Sequence, residues 1–464
     1  MELTSDIDVR RSYARDASGL EMVPDVVARA SSIADVVDVV RDAAARAIQV
    51  TAAGAQTSTT AASIVDHGIL LSMRAMGRIL DIDTARRVAR VEPGVTIGSL
   101  NEELAPLGLR FSPDPTSEND ATIGGAIACN ASGARSLRYG ATRPHVRGVK
   151  LVNGDAEVVE LRRPQLEKNT VGFHVAQDPV DWIVGSEGTL GVVVEAELSL
   201  VKKPAREIGL AIPFATEREA LAFVVAAREQ SDRAAVARAQ CLEYFDGQAL
   251  SIARAHIGSP NWMQDADAIV YLEQAFEDES SIDAVLDVWL SIADTFDARA
   301  DSIDVYDDAA ALRNARRFRH AVPAFTNERG AARRAYGGRK VSTDWAVPFR
   351  SLPNAIDAAH RFADARGVPR AITYGHAGNG HPHQNFIAAD ADELVRVMSV
   401  VDETIHHVLS LGGTVAAEHG LGKLKRHWLG VQMSKTQLRV IRAIKETLDP
   451  RGMFAPGNVI AEEP

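Results

Sequence analysis

Cysteine is nearly absent: Cys129 and Cys241 are the only two in 464 residues. Thiols that far apart supply no disulfide framework, no zinc ribbon and no iron–sulfur cluster. They read as buried thiols in a reducing compartment. No apolar run approaches the roughly 20 residues that span a bilayer. The opening Met1-Glu2-Leu3-Thr4-Ser5-Asp6 has no apolar stretch, so no signal peptide is read. The expected location is cytoplasmic, with peripheral membrane contact left open. A net charge of -11 and the lack of a clustered basic face exclude nucleic acid as the partner. A small anionic substrate stays compatible, because a local site can be basic within an acidic protein. A G-x-G-x-x-G between strand and helix and a Walker A loop are both missing, which removes a Rossmann dinucleotide site and a P-loop.

What is present begins with length. A chain of 464 residues exceeds one ordinary core and suggests two or three domains. Ile33, Val36, Val37, Val40 and Ala44 form one stripe of a helix over 32–46, where Ser32 and Asp35 resemble a capping box. A β run from Ile48 to Ala52 follows and ends at Gly54. Ile79 to Ile82 and Val88 to Val91 read as paired strands. Val149 to Val152 and Val158 to Leu161 read as a hairpin turned by Asn153-Gly154. After about Pro204 the pattern becomes α+β: helices over 216–230 and 282–296, strands over 269–272 and 341–347, and a long helix over 391–411 stopped by Gly412-Gly413.

Three segments ask for a phosphate-rich ligand: Ala53-Gly54-Ala55-Gln56-Thr57-Ser58, Ala121-Thr122-Ile123-Gly124-Gly125-Ala126 with Asn130-Ala131-Ser132-Gly133, and Gly185-Ser186-Glu187-Gly188-Thr189-Leu190-Gly191-Val192. Successive exposed backbone N–H groups form an anion nest, and glycine lets a flat or charged ligand approach the backbone. Each alone is an ordinary tight turn. Their order and spacing resemble the FAD-binding domain of the vanillyl-alcohol oxidase/p-cresol methylhydroxylase flavoprotein superfamily, over roughly residues 20 to 204. The resemblance implies that Ala53, Gly54, Ala55, Gln56, Thr57 and Ser58 hold the FAD pyrophosphate. It places Thr116, Thr122, Gly124, Gly125, Ser132, Gly185, Glu187, Gly188, Gly191 and Val193 around the flavin and adenine. The pyrophosphate loop carries neither histidine nor cysteine, so the FAD is expected to be non-covalent.

The sharpest local pattern is Tyr374-Gly375-His376-Ala377-Gly378-Asn379-Gly380-His381-Pro382-His383, followed later by Ala417-Glu418-His419-Gly420-Leu421-Gly422. Strand-like residues flank the first, which predicts a strand-turn-strand with converging imidazoles. Two histidines and a carboxylate suit Zn²⁺, Mn²⁺ or Fe²⁺ and leave a position for substrate. Histidines beside glycines are otherwise surface turn residues. The two patterns resemble the H-x-G-[D/N]-G-x-x-H and E-H-G-x-G motifs of the D-lactate/D-2-hydroxyglutarate/glycolate dehydrogenase branch of the same superfamily. That resemblance implies a divalent metal on His376, His383 and Glu418, and His419 as general base. The branch usually has Asp-Gly-Asn where this chain has Asn379-Gly380-His381, a change that bears on the metal's identity.

The same resemblance makes Arg319 and Lys340 anchors for a substrate carboxylate, one offering paired donors and the other a point charge. Arg316, Arg317 and Arg333 read as a solvated helix face. Leu448 to Asn458 is similar to the family's closing segment, except that Ala455 stands where relatives often have Asn before Pro-Gly.

The expected architecture is α+β: a two-subdomain p-cresol-methylhydroxylase-type FAD-binding domain over 1–204, an α+β substrate (cap) domain with an antiparallel sheet over 205–420, and a C-terminal segment over 421–464 returning to the FAD domain. The implied reaction is metal-assisted oxidation of a D-2-hydroxy acid of the lactate, glycolate or 2-hydroxyglutarate type to the 2-oxo acid. Hydride would pass to flavin N5, with the hydroxyl polarised by the metal and deprotonated by His419. The chain has no iron–sulfur motif, so a quinone, an electron-transfer flavoprotein, a cytochrome, a partner subunit or oxygen must take the electrons; a homodimer is compatible. Two other readings are a sugar or aldonolactone FAD oxidase, which would not need the histidines, and a catalytically silent FAD-binding subunit.

Overall fold

The computed structural model describes residues 2–234, 236–257 and 266–460, with the side chains at 2, 257, 279 and 318–320 outside the description. The chain divides into two compact units. One comprises Met1–Gly133, Gly140–Lys203 and Glu418–Pro464, the other Ala134–Tyr139 and Pro204–Ala417.

Among its described residues the first unit holds two larger sheets and a short antiparallel pair, Leu109–Arg110 with Val201–Lys202. Strands Val26–Arg29, Ile69–Ser72 and Val50–Ala53 run parallel, and Glu2–Thr4 adds antiparallel at the edge. The helix Ile33–Arg46 covers them because Val36, Val39, Val40 and Ala43 recur at helical spacing and are buried. Each such valine contributes about 1.5–3 kcal/mol through lost water contact. Ser32 caps the helix through the Asp35 N–H, but the Asp35 carboxylate reaches back to the Ser31 amide and hydroxyl instead of closing a box on Ser32. The second sheet is antiparallel, in the order Ile79–Asp83, Val88–Val91, Val192–Ser199, Val146–Val152, Val158–Arg162. Its hairpin turn is longer than two residues: the Asn153 N–H donates to the Glu157 carbonyl, and Asn153 Oδ1 accepts from the amides of 155 and 157. The C-terminal segment closes this unit. Val50 exchanges backbone hydrogen bonds with Met453 and Ala455, and Phe454 packs in the core under the Ile33–Arg46 helix.

The second unit is built on one antiparallel sheet of seven strands. In spatial order these are Asp304–Tyr306, Arg206–Phe214, Ala268–Phe276, Ala239–Asp246, Ile372–Gly375, His383–Asp390 and Gly337–Ser342. One face carries Phe245, Ile269, Tyr271, Ile372, Tyr374 and Ile387, packed with Ala315, Val322 and Phe325 of the long helix Ala309–Arg333. The expected strand over 341–347 stops at Ser342. The reason is local: the polar backbone groups of 343–347 are taken by other loops, as described below. No helix among the described residues is long and apolar enough to cross a membrane.

Arg316 does not lie on a purely solvated face, contrary to the expectation from its helix. Its Nε is 3.2 Å from Glu273, whose second oxygen is 3.0 Å from Arg135. Glu273 also accepts from the Tyr271 hydroxyl and the Gln240 amide. A carboxylate that is 3% exposed needs such partners, since an ion buried without them costs several kcal/mol. Replacing Glu273 by Ala removes the carboxylate at 3.0 Å from the Arg135 guanidinium and leaves Glu207 at 3.9 Å, and the expected loss is about 3–5 kcal/mol. An unchanged urea midpoint for the Glu273→Ala protein would contradict this reading of the sheet interior.

Candidate active site

In the first unit the glycine-rich loops come together by close backbone approach. A Cβ at Gly54 would stand 2.2 Å from the Thr122 hydroxyl, and one at Gly124 would stand 2.7 Å from Pro93. Thr122 caps the short helix Ile123–Cys129 by accepting from the Gly125 N–H. The loop after Ala53 therefore lies against the start of that helix, where backbone N–H groups are not used by the helix itself. Gln56, at φ 58, secures the loop through its side-chain amide to the Tyr13 and Ser63 carbonyls. Gly185, Gly188 and Gly191 all have positive φ, and Val193 pairs with Leu151 in the antiparallel sheet. Thr116 is exposed and Ser132 is half-buried. Thus every residue expected to hold FAD lies in this one unit. Burial pushes the Cys129 thiol up to about 12, so it carries no thiolate at neutral pH and is a poor nucleophile toward a flavin.

The Glu418–Gly422 loop belongs to the same unit and is fastened to the glycine-rich segments. Both oxygens of Glu187 accept from it: Oε1 from the Leu421 N–H and Oε2 from the Gly422 N–H, each at 2.7 Å. Ser132 donates to Glu418 Oε1 at 2.8 Å, and Thr60 donates to the His419 carbonyl at 3.3 Å. Two glycines make the approach possible. A Cβ at Gly420 would stand 2.5 Å from Glu187 Oε1, and one at Gly422 would stand 2.2 Å from the Thr60 carbonyl; both have positive φ. Asn458 adds a further tie, donating to the carbonyls of Ala62 and Glu187 while Lys423 donates to its Oδ1. Burial raises the Glu187 carboxyl, and the two N–H bonds, Lys425 and Lys423 oppose the rise.

In the second unit the histidine pattern forms a strand-turn-strand, with a 3-10 turn at Ala377–Asn379. The rings of His376, His381 and His383 have centroids 4.7–5.7 Å apart. Gly375, at φ +115, lets the His383 ring press on the backbone, where a Cβ would be 2.7 Å from Cδ2. Gly380 does the same for the Val347 carbonyl, which a Cβ would meet at 1.9 Å. The 343–347 segment is a strap over this turn. Trp345 O accepts from His381 Nδ1 at 2.7 Å, Val347 N–H donates to Gly380 O, and Asp344 O accepts from Ala417 N–H. His376 Nδ1 lies 2.6 Å from Glu243. The donor set suits a borderline divalent cation: imidazoles held by a carboxylate and by backbone contacts in a nearly dry turn.

Lys340, Ser342, Asn385 and Ile387 share a sheet face by register, and His383 and Tyr374 lie on it too. The helix Ala309–Arg333 covers this face at Gly330, where a Cβ would be 2.5 Å from Lys340 Cβ. Lys340 Nζ donates to Asn327 at 2.8 Å, and burial lowers its pKa to about 8. Arg319 lies on that same helix, with its side chain outside the described residues. Two buried groups escaped sequence reasoning. Asn385 accepts through Oδ1 from the Ser342 hydroxyl, while its buried Nδ2 meets no hydrogen-bond partner. Glu243 comes from a strand more than 130 residues before its histidine partner. Only the two-residue spacing of Asn385 after His383 could have signalled the first, and nothing local signals the second.

The chain belongs to the FAD-linked oxidases. Residues 203–459 match the family described as FAD linked oxidases, C-terminal domain, and residues 24–162 match a FAD binding domain family. It is therefore an FAD-linked oxidoreductase, as the glycine-rich segments implied. Glycolate oxidase subunit GlcD of Bacillus subtilis (strain 168) is 30% identical over 410 residues, covering 86% of this chain and 80% of that protein. D-lactate dehydrogenase of Anaerostipes hadrus is 27% identical over 452 residues, covering 94% and 89%. D-2-hydroxyglutarate dehydrogenase of Stutzerimonas stutzeri (strain A1501) is 27% identical over 475 residues, covering 99% and 96%. A solved structure of alkyldihydroxyacetonephosphate synthase superposes with a TM-score of 0.73 at 17% identity, over 98% of this chain and 83% of that one. This likeness shows the fold, and the p-cresol-methylhydroxylase-type architecture is borne out.

Replacing Glu187 by Gln sets an amide nitrogen against one of the two backbone N–H groups that its carboxylate now accepts. The expected cost is about 1–3 kcal/mol, seen as a lower thermal midpoint. A midpoint identical to that of the unaltered protein would remove Glu187 as the clasp of the 418–422 loop.

Proposed function

We propose that the protein oxidises a D-2-hydroxy acid to the corresponding 2-oxo acid, using non-covalent FAD and a divalent metal ion. The observation that carries this reading is the sheet face of the second unit, on which Lys340, Asn385 and His383 stand together under one helix. A half-desolvated ammonium beside a buried amide donor suits a carboxylate with an adjacent oxygen, and a neutral sugar alcohol would not call for the ammonium. The names of the glycolate, D-lactate and D-2-hydroxyglutarate relatives support the same substrate class. In this reading residues 1–204 bind FAD, 205–420 bind the acid, and 421–464 close the FAD domain.

Bound FAD supplies a two-electron acceptor at N5, and a divalent ion on His376, His383 and Glu418 supplies Lewis acidity toward the hydroxyl. The rest falls to the chain's own groups. Lys340 and Arg319 hold the carboxylate and so fix which face of C2 is presented. Asn385 donates through Nδ2 to a substrate oxygen. His419 takes the hydroxyl proton as the C2 hydrogen leaves with its electron pair. An external quinone, flavoprotein, cytochrome, partner subunit or oxygen then receives the two electrons.

His419→Ala should retain its yellow colour yet lose at least about 100-fold in the rate of flavin reduction by the best acid. Reduction at the normal rate would displace His419 from the role of base. Lys340 has a pKa near 8 before the acid binds, and its charged form is the one that attracts a carboxylate. Affinity should therefore be full below pH 8 and decline above it, read as a rising KM. Lys340→Met should raise KM throughout and abolish that dependence. A flat KM between pH 7 and pH 9.5 in the unaltered enzyme would contradict the assignment.

A further inference from the structure

Strand Ala239–Asp246 runs through the middle of the second unit's sheet, and every residue of it is buried. On the face that bears Cys241 and Phe245, the chain places a carboxylate, Glu243. A glutamate in a strand core costs several kcal/mol unless a specific partner holds it. Its partner is His376 Nδ1, 2.6 Å away, with the two side chains 3% and 2% exposed. The turn bearing His376 is set against this strand by Gly378, whose absent Cβ would meet Leu242 Cβ at 2.9 Å. The contact is thus fixed from both sides, by packing on the neighbouring residue and by a short charge-assisted hydrogen bond.

That arrangement has a chemical consequence. A carboxylate accepting from Nδ1–H fixes the proton on that nitrogen, puts the ring's lone pair on Nε2, and makes Nε2 a stronger donor. We infer that Glu243 is a positioning residue for the metal centre: it selects the tautomer of His376, orients the ring and strengthens Nε2 as a ligand. This rests on the reading of His376 as a metal ligand given above. His381, held by a neutral carbonyl, receives no such reinforcement from its Nδ1 contact, which separates its role from that of His376.

The test is Mn²⁺ binding to the FAD-loaded, metal-stripped full chain, followed by the electron paramagnetic resonance of the free ion. Glu243→Gln keeps an acceptor for Nδ1–H but removes the charge, and Glu243→Ala removes both. The expected result is one Mn²⁺ site in the unaltered protein, about 10-fold weaker affinity in the Gln variant and up to about 100-fold in the Ala variant. Flavin content should stay unchanged in both. A merely structural role would lower flavin content or thermal stability and leave the affinity of the folded Gln variant alone. Mn²⁺ binding within twofold of the unaltered protein in both variants overturns the inference. An unaltered protein that binds neither Mn²⁺ nor competing Zn²⁺ brings down the metal reading itself, and does so before any variant is made.

Discussion

Both oxygens of Glu187 are spent on the backbone of one loop, at Leu421 and Gly422, and the placement of the 418–422 loop in the first unit depends on that grip. The carboxylate belongs to a Gly-Ser-Glu-Gly segment with left-handed residues on each side, and Glu187 itself sits at φ 51. Such backbone is costly for a side-chain-bearing residue, so the geometry persists only because its partners over-determine it. Ser132, Thr60 and Asn458 supply further ties. In consequence Glu418 and His419 are carried by the same scaffold as the glycine-rich loops, although more than 200 residues separate them in sequence.

The second unit applies a comparable logic to imidazoles. Its histidine turn is fixed less by side-chain packing than by backbone carbonyls of the 343–347 strap and by glycines that admit them. Rings held in this way lose little orientational freedom when a ligand arrives, which is the structural meaning of preorganisation. The departure at His381 fits this frame, because its Nδ1 finds a carbonyl and its Nε2 lies 3.5 Å from the buried Asp344. The departure at Ala455 is different. It adopts φ 42, a conformation asparagine tolerates better, and its N–H still reaches Val50 O.

Local pattern was the reliable guide wherever one element decides its own structure. The helix at Ile33–Arg46, the paired strands around residue 85 and the long helix ending before Gly412 all follow from periodicity and punctuation. The family was legible too, because three glycine-rich segments in a fixed order carry more information than any one of them. What escaped was set by distant partners. The 343–347 segment has strand-like residues, but its Trp345 carbonyl accepts from His381 and its Val347 N–H donates to Gly380. Arg316 looks like a solvated helix residue until Glu273 and Arg135 are placed beside it. Glu243 reads as a polar interruption in a hydrophobic strand, and only the fold brings His376 to it.

The central claim, an FAD enzyme that takes hydride from one enantiomer of a 2-hydroxy acid, is tested most directly by the anaerobic visible spectrum. Purified, metal-replete protein is mixed in turn with the D- and L-enantiomers of lactate and of 2-hydroxyglutarate, and with achiral glycolate. The account predicts a bound yellow flavin bleached by D-acids and spared by their L-enantiomers. A yellow protein that no acid bleaches, or one bleached equally by both enantiomers, would contradict it.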